Sequence, residues 1–171
     1  SIGYTDDLPL PDYTPNQNVR LKDTWVLSES QETVGVSGEM FGEFVFKYQK
    51  PIIEMFGLSY YGCCEPVHNR WHVIKDLSNL RKVSISPWCD EEKMAEYLGK
   101  NYIYCRKPNP ALISTEKWDE SLIRDDLRKT LEITKGLNVE IVMKDVHTIS
   151  NQAWRLGRWV ELAREEIAKV Y

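Results

Sequence analysis

The feature that most constrains this chain is a repeated layout. Four short β-type runs, Leu58 to Cys63, Lys82 to Ser86, Tyr102 to Cys105 and Val139 to Met143, are each followed by a stretch with helical periodicity. Strand and helix that alternate through short connections build parallel βα units, because hairpins need no intervening helix. Each run also delivers a chemically useful side chain at or just past its carboxyl end. All four cysteines (Cys63, Cys64, Cys89 and Cys105) and one of the three histidines, His147, sit in such places. In a parallel sheet, functional groups gather at the carboxyl ends of the strands.

The helical stretches carry their own signals. Met40, Phe41, Phe44, Tyr48, Ile52 and Met55 recur at steps of three and four, with Gly57 as a stop and Pro51 expected to kink or divide the helix. Pro66 opens a helix that reaches about Lys75. Asp90, Glu91 and Glu92 open another, suited to the helix dipole, and Gly99 closes it. Helices are expected from about Asp119 to Lys135 and from about Gln152 to Val170, the last with Trp154, Leu156, Trp159, Val160, Ala163 and Ile167 on its apolar side. The segment Arg106 to Ser114, RKPNPALIS, reads as a loop, and Val19 to Ser30 as a further strand. Residues 1–18, with Pro9, Pro11 and Pro15, read as an extended arm, leaving residues 19–171 as the one domain.

At 171 residues and 42% apolar content the chain can bury a sizeable core. A net charge of -4, from 26 acidic and 22 basic residues, gives neither a basic field for nucleic acid nor a polybasic anchor for a membrane. No apolar run approaches the roughly 20 residues of a membrane span, so a cytoplasmic location is the default expectation. Adjacent Cys63 and Cys64 in a chain of this size point to reduced thiols rather than a stapled secreted domain. No GxGxxG or GxxxxGK[ST] follows any strand, so the dinucleotide and P-loop readings lack their warrant.

Thiolates and imidazole scattered over several strand tips suit zinc, whose catalytic sites use three protein ligands and an open position. No tight CxxC or HExxH pair is present, and each cysteine also has a bland reading as a small core residue. A regular strand would point Cys63 and Cys64 to opposite faces, so only one would reach a site. His147, beside Lys144 and Asp145, is a better candidate than His68 or His72, which fall on a helix. Glu65 is a candidate acid, base or ligand, or simply an acidic residue favoured beside a helix start. Lys107 and Lys144 sit at strand tips, where a cation holds a carboxylate or is merely solvated.

At YGCCEP, SPWCD, YCRKPNP and VEIVMKDVHTI the chain from about Thr24 onward resembles the carboxyl-terminal half of the uroporphyrinogen decarboxylase superfamily, in the decarboxylase-like branch related to corrinoid-dependent methyltransferases. The resemblance implies the carboxyl-terminal half of a TIM (β/α)8 barrel. It also implies a methyltransferase chemistry in which zinc activates a thiol substrate toward a corrinoid on a partner protein. Onto this chain the metal ligands map to Cys63 or Cys64 and to His147, with Tyr61 or Gly62 where the methyltransferases have a histidine. Glu65 is then a substitute ligand, and Glu65, Lys107 and Lys144 position a small-molecule substrate. Nothing matches the amino-terminal half that handles uroporphyrinogen. The other readings are a metal-free, decarboxylase-like lyase whose lysines bind a carboxylated ligand, and a non-catalytic half-barrel binding or assembly module. Half a barrel leaves open sheet edges, so a homodimer or a missing amino-terminal half is expected to close it. The chain opens at Ser1 without a methionine, in line with a segment of a longer polypeptide.

Overall fold

The structure is a computed structural model and describes residues 18–171. The arm expected over residues 1–18 lies outside the described residues but for Asn18. Five strands, β1 (Trp25–Ser28), β2 (Leu58–Tyr61), β3 (Leu80–Ile85), β4 (Ile103–Arg106) and β5 (Asn138–Ile141), form one sheet in sequential order, with every neighbouring pair parallel. This is the parallel βα architecture that the alternation of runs and helices predicts.

The helices are α1 (Gly38–Phe41), α2 (Lys47–Ile53), α3 (Trp71–Ile74), α4 (Glu91–Leu98), α5 (Ala111–Ser114), α6 (Glu120–Ile133) and α7 (Trp154–Ile167). Asp90 and Asp119 cap α4 and α6, accepting from Lys93 N–H and Ser121 N–H, so both helices start where the sequence puts them. The strands explain why all of these helices lie on one face. Side chains alternate along a strand, and the register lines up Tyr61, Val83, Tyr104 and Val139 in one row and Ile85, Arg106 and Ile141 in the next. Tyr61, Val83, Ile85 and Tyr104 bury against Phe41, Phe46, Val67, Trp71, Ile74, Met94 and Leu98. Ile141 packs with Ile113, Ile123, Leu127, Trp159, Leu162 and Ala163 of α5, α6 and α7. Strands joined in sequential order by crossovers of one hand place their helices on the same side.

Four expectations are corrected in detail. The β2 strand ends at Tyr61, not Cys63, because Gly62 adopts φ 97° and turns the chain. A Cβ there would meet Ser84 Cβ and Val67 Cγ1 at 3.1 Å, so glycine is required twice over. Pro51 does not divide its helix, which runs on to Ile53; the irregularity is a π turn at Gly42–Phe46. That turn lets Phe41 and Phe46, five residues apart, both reach the core, while Met40, Phe44, Tyr48, Ile52 and Met55 are left exposed. In α7 the buried line is Arg155, Trp159, Leu162, Ala163 and Glu166, leaving Trp154, Leu156 and Val160 exposed. Both charged ends of that line are satisfied. Arg155 donates to the carbonyls of Ile113, Thr115 and Glu116, and Glu166 accepts from Arg124, Arg128 and Lys169. Finally, the expected loop after β4 contains α5, whose first turn is set by Pro110 and by Asn109 Oδ1 accepting from Ala111 N–H.

Candidate functional site

The sheet face opposite the helices is chemically different. Its rows are Leu27, Tyr60, Lys82 and Ile103, then Ser84, Cys105 and Glu140. Lys82 Nζ lies 5.3 Å from the Tyr60 ring centroid and 5.6 Å from that of Trp25, and reaches across β4 to pair with Glu140 Oε2 at 2.7 Å. Cation–π contact and an ion pair together hold one ammonium in place. Tyr60 Oη and Cys105 Sγ are within hydrogen-bond reach at 3.4 Å. Burial pushes the Tyr60 hydroxyl far above its ordinary range and the Cys105 thiol up to about 11, so both groups are protonated at neutral pH.

The strand tips lie directly above this cluster. Beyond Gly62 the chain is no longer extended, and the sulfurs of Cys63 and Cys64 come to 3.5 Å from each other, both half-buried. The alternation that would have separated them does not apply past Tyr61. Ser84 Oγ donates to Cys63 O at 2.9 Å and ties this turn to β3. Burial and the neighbouring Cys64 push the Cys63 thiol up to about 11, against a downward pull from the Lys107 ammonium. Lys107, at the tip of β4, is half-buried and lies over the Tyr60 ring at 5.6 Å. Among the described residues no carboxylate forms an ion pair with it. Lys144, at the tip of β5, pairs with Asp145 Oδ1 at 3.0 Å; that bond is the main cause that raises its pKa, with a smaller upward contribution from Cys64.

Glu65 lies beneath the tips and is 1% exposed. Its Oε1 accepts from Ser30 N–H (2.8 Å) and Ser30 Oγ–H (3.3 Å), and its Oε2 from Cys63 N–H (2.8 Å). The carboxylate therefore bolts the end of β1 to the end of β2. Arg70, stacked 4.7 Å from the Phe41 ring centroid, supplies the nearby positive charge while donating to Ser30 O, Ser30 Oγ and Thr33 Oγ1. Cys89 is buried near Glu65 O, and burial raises its pKa. This fits its bland reading as a core residue.

Of the residues singled out in the sequence, Cys63, Cys64, Lys107 and Lys144 converge, with Glu65 as their support. His147 does not join them: its side chain is 93% exposed and faces Asp145 at 3.6 Å. Among the described residues no three His, Cys, Asp or Glu side chains are grouped to hold a metal ion. The thiols supply two soft donors and the arrangement brings no third. Tyr60, Lys82 and Glu140 were missed by sequence reasoning, although their signal was present. Lys82 and Ser84 alternate with Val83 and Ile85, and Glu140 stands between Val139 and Ile141. A strand with one polar side in a parallel sheet marks a polar face.

A groove of about 640 Å³ lies elsewhere, along the outer side of β5, lined by Leu131, Leu137, Val139, Ile141, Ile167 and Tyr171 among others. It touches Lys82 and Glu140 but none of the strand-tip cysteines, and it marks the free sheet edge. No helix among the described residues is long and apolar enough to cross a membrane. In comparison with known proteins, the chain matches no family model, no curated protein and no solved structure.

Proposed function

We infer that this chain is a sector of a (β/α)8 barrel, the carboxyl-terminal half, whose strand tips bind a carboxylated small molecule for a metal-free, decarboxylase-like lyase reaction. The observation that carries this reading is Lys107, a half-buried ammonium at the mouth of the polar face with no carboxylate partner among the described residues. A partly buried cation without a carboxylate partner favours an anionic ligand, which supplies the opposite charge in a charge-assisted hydrogen bond. Lys144 stands across the cysteine turn as a second contact, and the protonated Tyr60 and Cys105 line the floor as neutral donors. Glu65 acts by holding the tips in place, not by touching the ligand.

Titration calorimetry with a panel of mono- and dicarboxylates and tetrapyrrole carboxylates tests the reading. Binding that weakens with salt and is lost in Lys107→Met, with the fold retained by circular dichroism, supports it. Carboxylate affinity equal in Lys107→Met and the parent protein would sink it.

A second reading, thiol activation on zinc with a corrinoid-bearing partner protein, is favoured by one observation, the 3.5 Å separation of the Cys63 and Cys64 sulfurs. Two thiols do not complete a zinc site, so this version requires another donor from a completed barrel or a displaced His147. Metal analysis of protein purified without chelator, beside Cys64→Ser, separates the readings.

Closure of the sector, by a second copy or by an amino-terminal half, accompanies both. The exposed Met40, Phe44, Tyr48, Ile52 and Met55 flank the β1 side, and the exposed Trp154, Leu156 and Val160 lie on α7, which follows β5. Light scattering that finds a stable monomer at all concentrations argues against the homodimer.

A further inference from the structure

The lysine-based reading leaves the two adjacent thiols without a task, and their geometry gives them one. We propose that Cys63 and Cys64 are a reversible oxidation site, closing to a vicinal disulfide when a hydroperoxide reaches the strand tips.

Three observations support this. The sulfurs already lie 3.5 Å apart, so closure to a bond of about 2 Å needs a small side-chain movement rather than a rearrangement of the fold. Both residues are half-buried and so reachable by a small oxidant, whereas Cys89 and Cys105 are buried. The turn that brings the sulfurs together is fixed at both ends, by Gly62 at φ 97° and by Ser84 Oγ donating to Cys63 O at 2.9 Å.

The chemistry balances. The Cys64 thiolate attacks the terminal oxygen of a hydroperoxide, the O–O bond breaks, and the alkoxide leaves as the alcohol once protonated, giving a sulfenic acid. The Cys63 sulfur then attacks the sulfenic sulfur and water leaves. Two thiols lose two electrons and two protons in all, and the hydroperoxide becomes one alcohol and one water.

The bridge would be labile. Adjacent Cα atoms across a trans peptide lie about 3.8 Å apart, below the roughly 4.4 Å minimum of ordinary disulfides, and strained bridges are readily reduced. Oxidation would also act on its surroundings. Cys63 N–H is bonded to Glu65, and Cys63 O to Ser84, so twisting this turn pulls on the two contacts that hold the tips of β1, β2 and β3 together.

The test uses the full chain, reduced and then freed of reductant, with hydrogen peroxide as the probe. The expected result is a mass loss of about 2 Da in a species that stays non-covalently assembled and regains its mass with dithiothreitol. Tryptic mapping should place the bridge in the peptide spanning residues 48–70, which holds Cys63 and Cys64 but neither Cys89 nor Cys105. Cys64→Ser should abolish the loss and Cys89→Ser should leave it intact. A gain of about 32 Da from sulfinic acid at either residue, an intermolecular disulfide, or the same 2 Da loss in Cys64→Ser would each overturn the proposal. None of these outcomes depends on the carboxylate reading.

Discussion

Glu65→Gln is the substitution that best separates support from chemistry at this site. The change is nearly isosteric, so its effect is electronic. Both carboxylate oxygens accept from donors fixed by the backbone, Ser30 N–H at 2.8 Å on one side and Cys63 N–H at 2.8 Å on the other. A carboxamide has one accepting oxygen. Whichever way it is turned, its NH2 confronts one of those N–H groups, leaving a buried donor unpaired. Losing one hydrogen bond to a charged acceptor costs about 1.5–3 kcal/mol, and the nearby Arg70 also loses its compensating charge. A total of about 3 kcal/mol follows. With a urea m-value of about 2 kcal/mol/M, the unfolding midpoint should fall by roughly 1.5 M with an unchanged slope. Equilibrium urea unfolding followed by tryptophan fluorescence measures it. A midpoint within about 0.2 M of the parent protein, where ligand binding or activity is nevertheless lost, would refute the supporting role and return Glu65 to the list of acids and bases.

Arg106→Met should be among the most destabilising single changes, by about 3–5 kcal/mol in the same assay. Arg106 is 3% exposed and pairs with Glu91 Oε2 at 3.1 Å and Asp126 Oδ1 at 3.4 Å, so its removal strands two carboxylates between β4, α4 and α6. Glu166 gives a pH signature. Its hydrogen bonds with Arg128, and then with Lys169 and Arg124, hold its carboxyl down at about 2, below the ordinary 4.5. Because the folded value is depressed, its contribution is complete above pH 4.5 and is lost as the pH falls toward 2. Glu166→Gln should therefore flatten the acid limb of stability against pH in that window, and an unaltered limb would contradict the pairing. Gly62→Ala should cost about 1–3 kcal/mol, from the left-handed φ and the 3.1 Å contacts with Ser84 and Val67. It should also slow peroxide closure of the cysteine pair, since it shifts the turn that brings the two sulfurs together.

The fold was legible wherever the period of the sequence matched one buried face. α4 and α6 carry Asp90 and Asp119 as caps and a clear apolar stripe, and their observed bounds fall within two residues of those expected. Legibility failed where local chemistry changed the phase. In the segment from Gly38 to Ile53 the π turn moves the core side from the obvious stripe to Phe41, Phe46 and Ile53. In α7 the buried Arg155 takes a core position because backbone carbonyls of the neighbouring loop satisfy it, something composition does not announce. The site was half legible for a similar reason. Its tips could be read because cysteines and lysines follow strands, but the convergence of both sulfurs depends on the left-handed Gly62, and the exclusion of His147 depends on a loop path that no periodicity records.

The two faces of the sheet provide an argument about function that needs no relative. On the helix side, Val83, Ile85 and Tyr104 are what a parallel sheet buried on both sides ordinarily carries. On the other side the same strands present Tyr60, Lys82, Ser84, Cys105 and Glu140, separated from the first set only by alternation. The Lys82 and Glu140 side chains are 23% and 40% exposed, and a partly solvated ion pair of this kind contributes only about 0–1 kcal/mol to stability. Stability alone therefore gives no reason to place Lys82 between two aromatic rings and across β4 from Glu140. A polar floor beneath strand tips that carry an unpartnered lysine is the arrangement expected if the sheet is built around a ligand. On that argument Lys82→Met with Glu140→Leu should leave the midpoint of unfolding unchanged or raise it, while weakening the carboxylate binding proposed for Lys107. A double variant destabilised by more than about 2 kcal/mol would show instead that the pair is structural, and would remove the polar face as evidence for a site.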